Sequence, residues 1–365
     1  MASLATSYRR EMRIVRGRAQ LGWLALLIAV LLYLPTVLET RAIFNFYFLT
    51  ETQVLGIGLA QVNFALIMIM GAVALNLLVG YTGLLSMGHA AFFAIGAMGG
   101  GILGVQLGLP FVVVVLGSGL FGAAVGTLVG LPSLRLRGLY LLLSTLALHF
   151  IVIYLFLRYQ LTQFGPAGIS FETATLFGFD ITTDKRWYFV LLVVAAVFIV
   201  ITRNLLKMRE GRAFIAIRDH EVAAAATGVN PSIVKLKAFA VSSFMVSVAG
   251  VLYGYNLGTA TSESYTLAFT IDFYAMVIIG GMGSLLGAVL GAIVWQLLPQ
   301  VLQTLSQSVD PDTPVVGDLL DKYRSHTVSI ILGALIIVIL MFKPGGLSGI
   351  WTTVKNSVTK WPYTN

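Results

Sequence analysis

Three ionisable side chains fall inside long apolar runs: His89, His149 and Asp272. Such groups are costly in hydrocarbon, and where they gather they mark proton relays, ion paths or substrate sites. A proton-coupled carrier needs a chain of buried carboxylates, and one aspartate does not make a chain. For His89 and His149 a neutral ring hydrogen-bonded between helices is the simpler role. For Asp272, capping or helix packing stands beside substrate contact. Ser86 and His89 lie three apart on one helical face, the spacing of a notional nucleophile and base, but nothing orients such a pair. The four histidines, His89, His149, His220 and His326, sit on different segments, which argues against a shared metal site. There is no cysteine for disulfides or thiolate ligands. No G-x-x-x-x-G-K-[ST] loop occurs, so this chain does not itself cradle ATP by that mechanism. A catalytic set and a cofactor of the chain's own are both missing.

The other stretch able to do chemistry is polar and basic: GRAFIAIRDHEVAAAATGVNPSIVKLKAF, Gly211 to Phe239, between apolar segments. Phe214, Ile217, Glu221 and Ala225 recur at spacings of three and four and predict one helical face. Arg218 and Glu221 are three apart and can pair. Gly228 supplies a stop, and Asn230-Pro231 a cap and start for the next helix. Such a helix can lie on anionic lipid through its basic residues. It can equally seat in a partner's groove. The small side chains favour the groove, with Arg218 and Glu221 fixing the register.

The elements that must position these residues are membrane spans. The chain has 365 residues, 58% hydrophobic and 10% charged, where a soluble domain carries about 25% charged. Apolar runs predict an all-α polytopic membrane protein of about ten spans: 21–38, 54–79, 83–105, 111–131, 139–158, 187–202, 238–258, 265–282, 284–305 and 327–342. The run from Leu21 reads as a first span rather than a cleaved signal, because Glu39 and Arg41 follow it instead of small residues. The runs 83–105 and 265–282 are Gly-rich or charged and are candidates for broken or re-entrant helices. Placing both termini in the cytosol puts 17 of the 23 Lys and Arg inside and ten of the 15 acids outside; the reverse orientation breaks the positive-inside rule. The net charge of +8 is thus a mark of the cytoplasmic face, with no call for nucleic acid. The expected organisation is a basic tail over 1–20, a membrane-embedded domain over 21–342 with a cytosolic loop at 203–237, and a cytosolic tail over 343–365.

Two glycine clusters punctuate the spans, Gly80 to Gly101 and Gly280 to Gly291. Four-residue spacings such as Gly96–Gly100, Gly122–Gly126, Gly283–Gly287 and Gly287–Gly291 suit close helix packing. At Gly80–Gly88 the small and polar residues interrupt an apolar run, and an unwound segment is expected. Candidate path residues come from these segments: Gly83, Ser86, Gly88, His89, Asp272, Gly280, Gly281 and Gly283.

Five blocks together resemble a branched-chain amino acid ABC-transporter permease of the LivM type. They are GYTGLLSMGHAAFFAIGA (80–97), LRLRGLYLLLSTLAL (134–148), GRAFIAIRDHEVAAAATGVN (211–230) with VKLKAFAVSSFMVSVAGVLYGY (234–255), IIGGMGSLLGAVLGA (278–292) and FKPGGLSG (342–349). The resemblance implies a bacterial inner-membrane importer subunit paired with a homologous LivH-type permease. Two P-loop ATPases would carry ATP and magnesium, and a periplasmic binding protein would deliver a small apolar amino acid. It also implies an ATPase-coupling helix, with Arg212, Phe214, Ile217, Arg218, Glu221, Ala224 and Gly228 as coupling residues. Relatives of this type carry urea, short amides or aromatic acids. The segment 147–160 is bulkier than expected for the family. A stand-alone secondary transporter is the competing class, and it has no need of the basic loop.

Overall fold

The computed structural model describes residues 18–39, 57–133, 138–176, 178–307, 330–331, 333–334, 336–339, 341–343 and 345–360. In chain order the helices are α1 (Arg18–Glu39), α2 (Leu59–Leu75, continued by a π-turn Asn76–Tyr81), α3 (His89–Gly100, continued by a π-turn Gly101–Gln106), α4 (Phe111–Ser133), α5 (Leu139–Gln163), α6 (Asp184–Lys207), α7 (Arg209–Ala226), α8 (Pro231–Leu257), α9 (Leu267–Gly280), α10 (Leu285–Gln307) and α11 (Gly346–Lys360). Four two-residue strands accompany them: β1 (Ile169–Ser170), β2 (Thr175–Leu176), β3 (Phe179–Asp180) and β4 (Thr259–Ala260).

Among the described residues, seven helical segments are long and apolar enough to span: Leu59–Tyr81, His89–Gln106, Phe111–Leu131, Leu139–Gln163, Asp184–Lys207, Pro231–Leu257 and Leu285–Thr304. Ten were expected. The expected span 265–282 is corrected to a half-helix. Its helix α9 has 14 residues, about 21 Å at 1.5 Å per residue, short of the ~30 Å hydrocarbon core. The expected span 83–105 turns helical only at His89. The run 21–38 falls on α1, whose apolar stretch is the shorter Ala25–Thr36. The run 327–342, the tail 1–17 and the acidic loop 308–329 lie wholly or partly outside the described residues.

Hydrophobicity all round a helix calls for burial on every side, and α2 is the case: every residue from Ala65 to Gly80 is buried. Helices α3 and α8 pack beside it, while α4, α5, α6 and α10 form an outer ring. Ring helices leave apolar side chains uncovered, such as Leu120 and Leu128 on α4 and Val193 and Val197 on α6. These suit lipid contact. The bulky segment 147–160 has the same logic. Phe150, Ile151, Tyr154 and Leu155 are exposed, while Leu141, Thr145, His149, Val152, Phe156 and Gln160 form the buried stripe of α5.

The four-residue glycine spacings serve packing. Along α4, Gly119, Gly122, Gly126 and Gly130 form a groove for α8, meeting Phe244, Ser247, Ser243 and Leu236 in turn. On the other side of α8, Gly96 faces the Ser247 carbonyl and Gly250 faces the Phe93 carbonyl. The Ser247 hydroxyl donates to the Phe92 carbonyl at 2.8 Å. At the far end of α8, β4 pairs antiparallel with β1, Ile169 opposite Ala260. Phe171 then stacks on Tyr255 at 4.6 Å between ring centroids.

Candidate functional site

The two glycine-rich breaks meet. Asn76, fully buried at the start of the α2 π-turn, reaches across to the turn between α9 and α10. Its Nδ2 donates to the Ser284 carbonyl at 2.9 Å, and its Oδ1 accepts from the Gly283 amide at 2.8 Å. One side-chain amide thus replaces a missing strand of backbone pairing. The backbones are close enough that a Cβ on Gly80 would strike the Gly283 nitrogen. Gly281 and Gly283 hold φ of 106° and 77°, values that exclude most side chains. On the other side of this turn, Gly346 at the start of α11 packs against Gly280 and Gly281, which gives the FKPGGLSG block a structural task.

The unwound segment expected at Gly80–Gly88 is present: residues 83–86 carry no helix. A helix start leaves amides without intrahelical partners, and here side chains take them. The Ser86 amide donates to the Tyr274 hydroxyl at 2.9 Å, and that hydroxyl donates back to the Ser86 carbonyl at 3.1 Å. The Met87 amide donates to Thr145 Oγ1 at 2.9 Å, and the Ala90 amide to Thr270 Oγ1 at 3.0 Å. The Gly88 amide uses Ser86 Oγ at 3.4 Å. His89 Nε2 lies 2.9 Å from the Gly71 carbonyl, so this nitrogen carries the proton. The His89 ring stands edge-on to Phe273 at 4.8 Å. Ser86 and His89 are therefore committed to separate backbone partners, and the histidine has the interhelical packing role. His149 is buried on α5, its Nδ1 without a partner among the described residues. Asp272 is half-buried on α9.

Helix α7 is where sequence and structure part. It is broken at His220, whose φ of −160° and ψ of 100° are extended rather than helical. Phe214 and Ile217 before the break, and Ala224 after it, are buried. The single face expected for Phe214, Ile217, Glu221 and Ala225 does not exist, because the break rotates the second half; Ala225 is exposed. The expected Arg218–Glu221 pair is also corrected. Arg218 binds its neighbour Asp219 at 3.3 Å and the Gly80 carbonyl through Nη1 at 2.7 Å. Glu221 instead accepts from Lys235 Nζ at 2.8 Å. Arg212 is exposed and donates to the Lys207 carbonyl at 3.2 Å. Gly228, at φ 88°, closes the helix, and the Asn230 side chain caps α8 with Pro231 behind it, both as expected. Asn76, Lys235, Tyr274, Thr145 and Thr270 escaped the reading of the sequence. Asn76 alone carried a clear signal, a polar amide inside an apolar run.

These elements line a half-open pocket of ≈ 100 Å³ formed by Thr82, Gly83, Leu84, Leu85, Gly138, Leu141, Ile217, Arg218, Glu221 and Lys235. The Lys235 side chain is 4% exposed and that of Glu221 22%. Lys235→Met removes the ion pair to Glu221 and is expected to cost about 2 kcal/mol, below the ~3–5 kcal/mol of breaking a fully buried pair because water still reaches Glu221. The double change Glu221→Gln with Lys235→Met should recover most of that, read as unfolding temperature in detergent. A second, exposed pair joins Lys237 to Glu210 at 3.4 Å. Glu210's own backbone amide, followed by Lys237, holds its carboxyl below the ordinary carboxylate value.

A family model described as "Branched-chain amino acid transport system / permease component" matches residues 59–340, from the start of α2 to a point short of α11. The chain belongs to this family. Permeases named LivM, of the high-affinity branched-chain amino acid transport systems of Salmonella typhimurium and Escherichia coli, are each 35% identical over 243 residues, 60% of this chain and 57% of theirs. A probable LivM permease of Methanocaldococcus jannaschii is 27% identical over 252 residues, 67% of this chain and 69% of its own. The chain thus spans 57% of the length of the two bacterial relatives. No solved structure matches. The family and the seven long apolar helices make this a multi-pass membrane protein.

Proposed function

We propose that this permease is one membrane subunit of an ATP-driven importer of branched-chain amino acids in a bacterial inner membrane. The observation that carries the reading is α7: a short helix, anchored by buried Phe214, Ile217 and Ala224, that presents Val222, Ala223, Ala225, Ala226 and Gly228 uncovered. Small side chains let such a surface seat deeply in a groove of a partner. The positive-inside rule puts that surface, and both termini, in the cytosol. The partners that fit are two P-loop ATPases binding ATP and magnesium, a homologous LivH-type permease and a periplasmic binding protein. The substrate class follows the names of the bacterial relatives. Transport proceeds by alternating access, with ATP-driven closure of the ATPases moving α7.

The test is co-purification through a tag on this chain. The wild type should bring a second permease and two ATPases. Val222→Asp with Ala225→Trp should lower ATPase recovery about 30-fold, the effect of losing an interface hot spot of ~2 kcal/mol, with an unchanged gel-filtration profile. Undiminished recovery places the ATPases elsewhere. A lone chain that takes up substrate without ATPases makes it a secondary transporter.

A further inference from the structure

We propose that Arg218 is the positioning residue through which α7 acts on both helix breaks at once. This rests on the reading of α7 as the docking helix. Three observations carry it. The Arg218 stem crosses Gly83 so closely that a Cβ there would meet Cγ at 3.0 Å. Its Nη1 donates to the Gly80 carbonyl at 2.7 Å. The same Nη1 lies where a Cβ on Gly283 would come within 2.9 Å of it. One side chain therefore touches the break after α2 and the break between α9 and α10. Nη1 reaches into the membrane domain, while the side chain as a whole stays 39% exposed.

Asp219 holds the fork from behind, taking Nε and Nη2 at 3.3 Å each. Both contacts fall on one exposed carboxylate oxygen, so the bond to Gly80 is the main constraint on the fork. A shift of α7 by about 1 Å takes a 2.7 Å bond beyond hydrogen-bond length, so it either breaks or draws Gly80 along. Gly80 in turn abuts the Gly283 amide, which Asn76 ties to the same π-turn. The backbone break at His220 follows directly. Arg218 sits just before that break, on the half anchored by Phe214 and Ile217, while the outer half meets the domain through buried Ala224 and the Glu221–Lys235 pair. Motion of α7 as a body thus reaches the two breaks together through Arg218.

The experiment uses the full complex in proteoliposomes, measuring leucine uptake per ATP hydrolysed. Arg218→Met keeps the stem over Gly83 and removes every donor. It should still co-purify with its ATPases, while uptake per ATP falls about tenfold, the weight of one charged hydrogen bond. Arg218→Lys keeps stem and cation and should stay within about threefold of wild type. A strut with only a structural role would lower yield and leave the ratio unchanged, so an unchanged ratio overturns the proposal. ATPases lost from Arg218→Met overturn it too, because Arg218 is then a docking residue. Where Arg218→Met accumulates poorly, Arg218→Gln is read by the same ratio. A wild-type complex without ATP-dependent uptake sinks the importer reading before any substitution is compared.

Discussion

Gly96→Val should leave almost no folded permease in the membrane. A side chain at this position has nowhere to go, because its first carbon would land on the Ser247 carbonyl of α8. The obstacle is backbone, which cannot swing aside as a side chain does. The neighbouring contact is reciprocal, with Gly250 of α8 set against the Phe93 carbonyl of α3, so moving the helices apart at one point loosens the other. The Ser247–Phe92 hydrogen bond at 2.8 Å would also be lost. Overpacking ordinarily costs ~1–3 kcal/mol; separating two central helices should cost about 4 kcal/mol or more. Gel filtration of the detergent extract reads the outcome. Gly96→Ala should be intermediate. Gly22→Val is the control, since nothing lies within 4 Å of the added carbon. Normal recovery of Gly96→Val would show that α3 and α8 do not approach this closely.

Asn76→Leu should abolish transport and lower stability by about 2–4 kcal/mol, through two polar groups stranded at ~1–3 kcal/mol each. The groups are the Gly283 amide and the Ser284 carbonyl, which Asn76 now satisfies at 2.8 and 2.9 Å. Leucine is near the volume of asparagine and is common in this helix, so packing alone predicts a mild effect. Asn76→Asp separates the two bonds. It keeps the acceptor for Gly283 and removes the donor to Ser284, and should fall between wild type and Asn76→Leu. Unfolding temperature and uptake are the measurements. Wild-type behaviour of Asn76→Leu would mean that the two breaks are not held by this amide.

Much of this architecture can be read from the residues, for identifiable reasons. Long apolar runs announce spans because each must cover the same hydrocarbon thickness. The interruption at Gly80–Gly88 and the stop at Gly228 are written in residues that no uniform helix prefers. The break in α7 is written nowhere comparable. His220 is neither glycine nor proline, and the chain turns extended there so that Arg218 and Glu221 can reach different partners. Tertiary contacts decided it, and periodicity then misassigned the face of Ala225. Lys235 was legible only as a cytosolic cation, because its burial against Glu221 depends on an approach of α7 to α8 that spacing does not encode. The short length of α9 fits the reading of 265–282 as a candidate broken or re-entrant helix, and only its end point was not legible. Its apolar run continues past Gly280, but the positive φ of Gly281 ends the helix.

The two ends of α8 are fastened differently. Its 27 residues separate them by about 40 Å. At one end β1 and β4 form a small ladder in which backbone meets backbone. At the other end the junction is held by single side chains, Asn76, Arg218 and Lys235, each of which can let go alone. On the proposed alternating-access cycle, a body clasped at one end and buttoned at the other would open like a book from the buttoned edge, with the ladder as its spine. In the proposed transport cycle, the energy of a turnover would fall on a few replaceable fastenings and spare the core.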